Sequence, residues 1–214
     1  MIGIILLGIS GFSFWVVYLQ VPALKLRWYE INRATTEMTK LDREQYLAMV
    51  EEATERWPNF KSLKKQGDLQ WVLAVSSETK DEAIDYFEAA ATAYSEASRL
   101  HPWELSLKVN AGRAYDQLSL YDTAEPYYLQ AFENRGRDEF WIHTRYELAN
   151  HYFVRAKHVW YQRQPEQALA YFSMARELLK DRPSKKNNKL FIEVNKNINF
   201  LRATGIKESN HTSN

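Results

Sequence analysis

A figure of eight residues occurs three times in the chain, as AIDYFEAA from Ala83, AEPYYLQA from Ala124 and ALAYFSMA from Ala168. The copies begin 41 and 44 residues apart, a recurrence too regular for chance in a chain of 214 residues. Each copy places small, aromatic and small residues at offsets of 0, 4 and 7, which lie on one face of an α-helix. The small residues let a neighbouring helix approach closely, and the aromatic ring fills the remaining space. The sequence therefore predicts an internal repeat of packed helices.

Composition also favours an all-α fold. Gly 7 and Pro 6 are too few to supply the turns of a β-sandwich or barrel. Apolar residues recur at helical spacing from Trp28 to about Leu201, and short breaks divide this stretch into helix pairs. The formal net charge of +1 gives no reason to expect nucleic acid as a partner. The absence of cysteine excludes disulfides, thiolate zinc sites and cysteine nucleophiles.

The stretch around the second figure resembles a known repeat family. It runs PWELSLKVNAGRAYDQLSLYDTAEPYYLQAFE, and its first helix contains Ala111, Gly112 and Tyr115. The stretch before the third figure repeats these positions 37 residues later, as Leu148, Ala149 and Tyr152. The pattern resembles the tetratricopeptide repeat (TPR), whose first helix carries a small Ala/Gly pair and Tyr and whose second carries Ala, aromatic, Ala. That family has a period of about 34 residues, so the longer spacing here predicts extended helices. We expect them at 81–100 and 139–161.

The chain is expected to divide into five segments. An uncharged stretch, Ile2–Leu24, is long enough at about 1.5 Å per residue to cross a hydrocarbon core about 30 Å thick. The prediction is a transmembrane helix at 1–24, a juxtamembrane helical linker at 25–41, about three TPR-like helix pairs at 42–183, a capping helix at 184–203 and a disordered tail at 204–214. The predicted architecture is thus an all-α protein with an α-solenoid behind an N-terminal transmembrane helix.

The N-terminal stretch has a second interpretation, a cleaved signal peptide. The Val21–Ala23 segment resembles a cleavage site, but no charged region precedes the apolar run, which favours a retained span. Lys25, Arg27 and Arg33 follow the span, and the positive-inside rule then places the domain in the cytoplasm. We therefore expect a single-pass membrane protein, for instance of the bacterial inner membrane.

The family resemblance implies a partner-binding groove lined by the first helix of each pair. By the family's register, the groove residues are Ser106, Val109, Asn110, Arg113, Asp116 and Gln117 of the middle pair, and His143, Tyr146, Asn150 and Phe153 of the next pair. This mixture of charged, amide and aromatic side chains suits a peptide that has backbone groups to satisfy and an apolar anchor. The alternative is an ordinary solvated surface without a dedicated ligand. We expect Arg113→Ala or Tyr146→Ala to leave folding nearly intact.

Two functions follow from this organisation. The first is a membrane-anchored TPR scaffold or adaptor that binds a protein or peptide partner. The alternative is the C-terminal TPR portion of a larger membrane enzyme, because the layout resembles the O-antigen ligase and polysaccharide polymerase family. No nucleophile elbow, phosphate-binding glycine loop or metalloprotease signature occurs in the sequence. We therefore predict no enzymatic activity, no cofactor and no catalytic residue in this chain.

Two polar features have alternative interpretations. His143, Glu147, His151 and His158 follow each other at offsets of four, four and seven, so they share a helix stripe. Such a stripe is able to bind a divalent metal, but the cations around it favour a solvated face without a metal.

The C-terminal end is basic. From Lys180 onward there are eight Lys/Arg against three Asp/Glu. This edge either faces anionic lipid or belongs to an ordinary soluble cap. Nucleic acid is not expected, because Phe191 and Phe200 are predicted on the apolar face of the last helix.

Overall fold

Helices account for the whole regular structure of the described residues. The computed structural model describes residues 39–134, 140–180 and 185–206, which form eight α-helices and no strand. The helices are α1 (Lys40–Arg56), α2 (Phe60–Val75), α3 (Lys80–Leu100), α4 (Leu105–Gln117), α5 (Tyr121–Glu133), α6 (Phe140–Tyr161), α7 (Pro165–Leu179) and α8 (Lys185–Ala203). The all-α prediction is confirmed for this part of the chain. The chain divides into two compact units, Met1–Trp103 with α1 to α3 and Glu104–Asn214 with α4 to α8.

The predicted membrane span lies outside the described residues. Residues 1–24 are not among them, and neither are 25–38 of the predicted linker or 207–214 of the predicted tail. No helix in the described ranges is both long enough and apolar enough to cross a bilayer. The membrane anchor therefore stays a prediction.

Polar caps define the helix starts of the first unit. The Thr39 side chain accepts a hydrogen bond from the N–H of Asp42, whose carboxylate accepts from the Thr39 N–H in return. Asn59 and Thr79 cap α2 and α3 in the same way, by accepting from backbone N–H groups of the first turn. Such caps satisfy N–H groups that have no partner within the helix. The starts of α1, α2 and α3 thus each carry a polar cap.

Two three-residue turns join the helices within each pair of the second unit. Ser119, between α4 and α5, and Arg163, between α6 and α7, have φ angles of 60° and 61°. In each turn the N–H of the next residue donates to the carbonyl five positions earlier, at 3.0 Å. This closure satisfies carbonyl groups at the end of a helix. The turns are 44 residues apart, the same spacing as the second and third figures, so the two pairs are built alike.

The repeated figures form the core of the second unit. The exposed fraction is 2 % or less for all six of their key residues, which are Ala124, Tyr128, Ala131, Ala168, Phe172 and Ala175. The predicted packing role of the small and aromatic residues is confirmed here.

In α3, the buried small–aromatic–small figure begins seven residues later than the sequence pattern predicted. Ala83 and Phe87 are only half-buried, whereas Ala90, Tyr94 and Ala97 are buried. The buried set has the same offsets of four and three, and Ala90 precedes Ala124 by 34 residues, the period of the family it resembles. The assignment of the repeat to Ala83 was therefore wrong in register. The reason is that α3 has two additional turns at its start.

A glycine contact supports the corrected register. A Cβ atom built on Gly67 of α2 would lie 2.8 Å from the Tyr94 ring, and one built on Gly112 of α4 would lie 2.8 Å from the Tyr128 ring. In both pairs the first helix approaches the aromatic of the second at a position where only glycine fits. Tyr94 is thus the counterpart of Tyr128.

The last helix packs its apolar stripe onto the core. The buried residues of α8 are Leu190, Val194, Ile198 and Leu201, and the helix packs on α7. Phe200 differs from its prediction: it is 57 % exposed, and its ring forms a T-shaped contact with Trp160 at a centroid distance of 6.0 Å. It lies about 80° from Ile192 around the helix, on the outward side.

Helix α5 begins without a side-chain cap, at Tyr121 after Leu120. Asp122 lies in its first turn, where its carboxylate accepts a hydrogen bond from Arg155 of α6 at 2.5 Å. A carboxylate in the first turn still opposes the positive end of the helix dipole favourably.

Candidate partner-binding groove

Three helices of the second unit share one face. Helix α6 contacts both α4 and α8. Helices that follow each other in the chain, from α4 to α8, also contact each other. The predicted groove residues belong to α4 and α6, so the fold brings the two sets together. This is the arrangement expected when the first helices of successive pairs line one surface.

A charge pair joins α4 to α6 on this face. Nε of Arg113 donates to Oε2 of Glu147 at 2.9 Å, and its second terminal nitrogen donates to Oε1 at 2.5 Å. The Glu147 side chain is 3 % exposed and that of Arg113 is 37 % exposed. Burial lowers the pKa of Arg113, but the hydrogen bonds to Glu147 and the negative charge of Glu147, together with smaller effects of Tyr128 and Tyr146, outweigh burial and leave that pKa raised. The guanidinium thus neutralises a buried carboxylate.

This pair changes the expectation for Arg113. Removal of its side chain leaves the Glu147 carboxylate buried without its cation, which is costly. The prediction that Arg113→Ala leaves folding nearly intact is therefore not supported by this geometry. The imidazole of His143 is close to the same carboxylate, with Nδ1 at 3.7 Å from Oε1 of Glu147.

The other predicted groove residues separate into two groups. Six are half-buried or exposed and so remain accessible: Ser106, Asn110, Gln117, His143, Tyr146 and Asn150. The Ser106 hydroxyl donates to Glu104 at 2.5 Å. Burial is the main cause that raises the pKa of Tyr146, and Glu147 adds to it, so this ring is a neutral, partly packed surface group.

The second group is buried in the core. Val109 is 1 % exposed and Phe153 is 7 % exposed, and the Phe153 ring packs on Phe172 at a centroid distance of 5.7 Å. Asp116 is also buried. These three side chains contact other core residues, so the structure gives them a packing role.

Asp116 is the centre of a buried polar network. One carboxylate oxygen accepts from the Tyr128 hydroxyl at 2.9 Å, and the other lies 2.7 Å from Nδ1 of His151. His151 has no exposed surface. Burial and the negative charge of Asp116 raise the pKa of Tyr128 well above its usual range, so the phenol keeps its proton and donates. The network links α4, α5 and α6 through one carboxylate.

The prediction that the histidine stripe lies on a solvated face is wrong for Glu147 and His151, which are both buried. A signal for this was present in the 37-residue offset between the two first helices. It places His151 at the position of Ala114, which is also fully buried. Within the residues that the structure describes, no group of three or more His, Cys, Asp or Glu side chains is arranged to bind a metal.

Comparison with known proteins gives only distant likenesses. No protein-family model and no curated protein matches the chain. A solved structure titled "MamA RS-1 ArsTM double mutant" is 15 % identical, with 87 % of this chain and 96 % of that chain covered and a TM-score of 0.49. TTC0263, a thermophilic TPR protein of Thermus thermophilus, is 18 % identical, with 90 % and 95 % covered and a TM-score of 0.48. At this level of sequence identity and structural similarity, the TPR interpretation rests on the helix pairs of the chain itself.

Proposed function

We propose that this chain is a membrane-anchored TPR-like scaffold or adaptor that binds a protein or peptide partner on the face shared by α4, α6 and α8. The observation that supports it is the Arg113–Glu147 pair, which joins α4 to α6 beside a row of accessible polar side chains. A surface of this kind is pre-organised, so little ordering entropy is lost when a partner binds.

The polar groups of this face suit an extended peptide. Arg113 has five N–H donors, and Glu147 takes two of them, so donors remain for a partner's carbonyl groups. Asn110 and Asn150 lie half-buried on the two neighbouring helices and provide both donors and acceptors. Tyr146 adds an aromatic surface of the type that is enriched where proteins bind each other.

Photo-crosslinking tests the groove. A photoreactive amino acid at Asn150 is expected to give a discrete adduct in native membranes, and Asn110→Arg is expected to reduce it because a bulky cation fills the same face. The matched controls are a photoreactive residue at Gln167, exposed on α7, and the variant Gln167→Arg. The proposal fails if position 167 gives the same adduct, or if Asn110→Arg has no more effect than Gln167→Arg.

Anchoring through residues 2–24 is the second part of the proposal. Its support is the uncharged length of this stretch, and the cations that follow it favour a cytoplasmic domain. Protease treatment of sealed right-side-out vesicles with a tag at Asn214 tests the orientation. Protection of the tag supports the cytoplasmic side. Digestion of the tag places the domain outside and favours the alternative role in polysaccharide assembly.

A further inference from the structure

The outward face of α8 combines cations with exposed apolar side chains. Ile192 is 68 % exposed and Phe200 is 57 % exposed, and Lys189 and Lys196 are exposed as well. At 100° per residue these four positions fall within an arc of about 80°. The opposite side of the helix is the buried stripe that packs on α7, so Lys189, Ile192 and Lys196 point away from the core. The Phe200 ring contacts Trp160 at a centroid distance of 6.0 Å but keeps more than half of its surface exposed.

Basic residues strongly outnumber acidic residues in this helix. Residues 185–203 contain five Lys/Arg and one acid, Glu193. Glu193 lies at the edge of the face towards α6, where it adds to the effect of burial and Glu147 in raising the pKa of Tyr146. The centre of the outward face is therefore cationic, with Ile192 between the two lysines along the helix and Phe200 one turn beyond Lys196.

We propose that the outward face of α8, formed by Lys189, Ile192, Lys196 and Phe200, docks onto the anionic head groups of a membrane. Lysines at a head-group surface gain from the negative surface potential, and apolar side chains beside them insert at the acyl boundary. A second copy of the same face is a poor occupant, because lysines would then meet lysines. None of the four residues is among the predicted groove residues of α4 and α6, so this inference does not depend on the proposed partner.

The chain offers a clean way to test the docking, since it contains no cysteine. An environment-sensitive fluorophore is attached to the cysteine of the variant Ile192→Cys in the whole chain. The variant Gln167→Cys, labelled in the same way at an exposed position on α7, is the matched control. Each labelled protein is reconstituted in vesicles of phosphatidylcholine alone or of phosphatidylcholine with phosphatidylglycerol. A label at 192 is expected to shift to the blue and to be quenched by a lipid-borne quencher only with the anionic lipid. High salt is expected to reverse the shift.

Charge reversal gives the quantitative test. At about fivefold per cation, Lys189→Glu with Lys196→Glu should lower the ratio of docked to undocked label by at least about 25-fold. The circular dichroism spectrum should not change, because both side chains are exposed. The proposal is overturned if the response at 192 is the same in both lipids, or equals that at 167, or survives charge reversal. It is also overturned if the label responds without vesicles, either to rising protein concentration or to an added oligonucleotide, since a second copy or a nucleic acid would then be the occupant.

Discussion

Arg113→Ala tests whether the groove pair is structural. The substitution removes two hydrogen bonds from the Glu147 carboxylate, whose side chain is only 3 % exposed. Breaking a buried ion pair by removing one partner costs about 3–5 kcal/mol. Because the Arg113 side chain is 37 % exposed, water reaches the site after truncation and reduces this cost. We therefore expect a loss of about 2–3 kcal/mol, below the range for a fully buried pair.

The assay is thermal unfolding of the full-length chain followed by circular dichroism. A loss of this size corresponds to a decrease in Tm of roughly 10 °C for a unit of about this length. Hydrogen exchange of the amides in α4 and α6 adds a local reading, because the two compact units need not unfold together.

Two further variants isolate the reason for the loss. Arg113→Ala combined with Glu147→Gln leaves a neutral amide in place of the stranded carboxylate, and should recover stability to within about 1 kcal/mol of wild type. Arg99→Ala removes an exposed pair with Glu96, whose side chains are 70 % and 48 % exposed, and should cost at most about 0.5 kcal/mol. If Arg113→Ala costs no more than Arg99→Ala, or the double variant recovers nothing, the buried-charge argument is refuted.

Three other predictions concern the core of the second unit. Gly112→Ala places a Cβ 2.8 Å from the Tyr128 ring and should cost about 1–3 kcal/mol in urea unfolding; a stability equal to wild type would show that the helices separate easily. Ala124→Trp overpacks a fully buried position and should cost about 1–3 kcal/mol, and unchanged melting would contradict the register of the second figure. Tyr128→Phe removes a donor to buried Asp116 and should cost about 1–3 kcal/mol at pH 7. Since the folded state raises the pKa of Tyr128, wild-type stability should fall as the pH rises above about 10, and Tyr128→Phe should reduce that fall in unfolding at alkaline pH.

The helices themselves were largely predictable from the sequence. The extended helices expected at 81–100 and 139–161 are observed as Lys80–Leu100 and Phe140–Tyr161, within one residue at each end. Their boundaries follow from local signals, namely caps, prolines and the interruption of a helical apolar period. These signals act over a few residues, so no knowledge of distant contacts is needed to find them.

The candidate groove was only partly predictable. The sequence identified α4 and α6 as its helices, and they are in contact. It did not reveal that Glu147 is buried, because this residue is polar, lies among cations and aligns at the 37-residue offset with half-buried Asn110. For His151 the sequence carried a signal, since the same offset aligns it with buried Ala114. The burial of these two polar residues depends on partners from another helix, Arg113 and Asp116, which stand 34 and 35 residues earlier.

The sequence by itself determined an all-helical chain with a repeated small–aromatic–small packing figure, because apolar periodicity and helix caps are local properties. Only the tertiary structure decided which of two candidate figures in α3 is buried. Ala83 and Ala90 both begin a figure with the same offsets, and the choice of Ala90 depends on where Gly67 of α2 lets the Tyr94 ring approach. A heptad shift preserves the face of a helix but changes which neighbour it meets, so contacts alone distinguish the two registers.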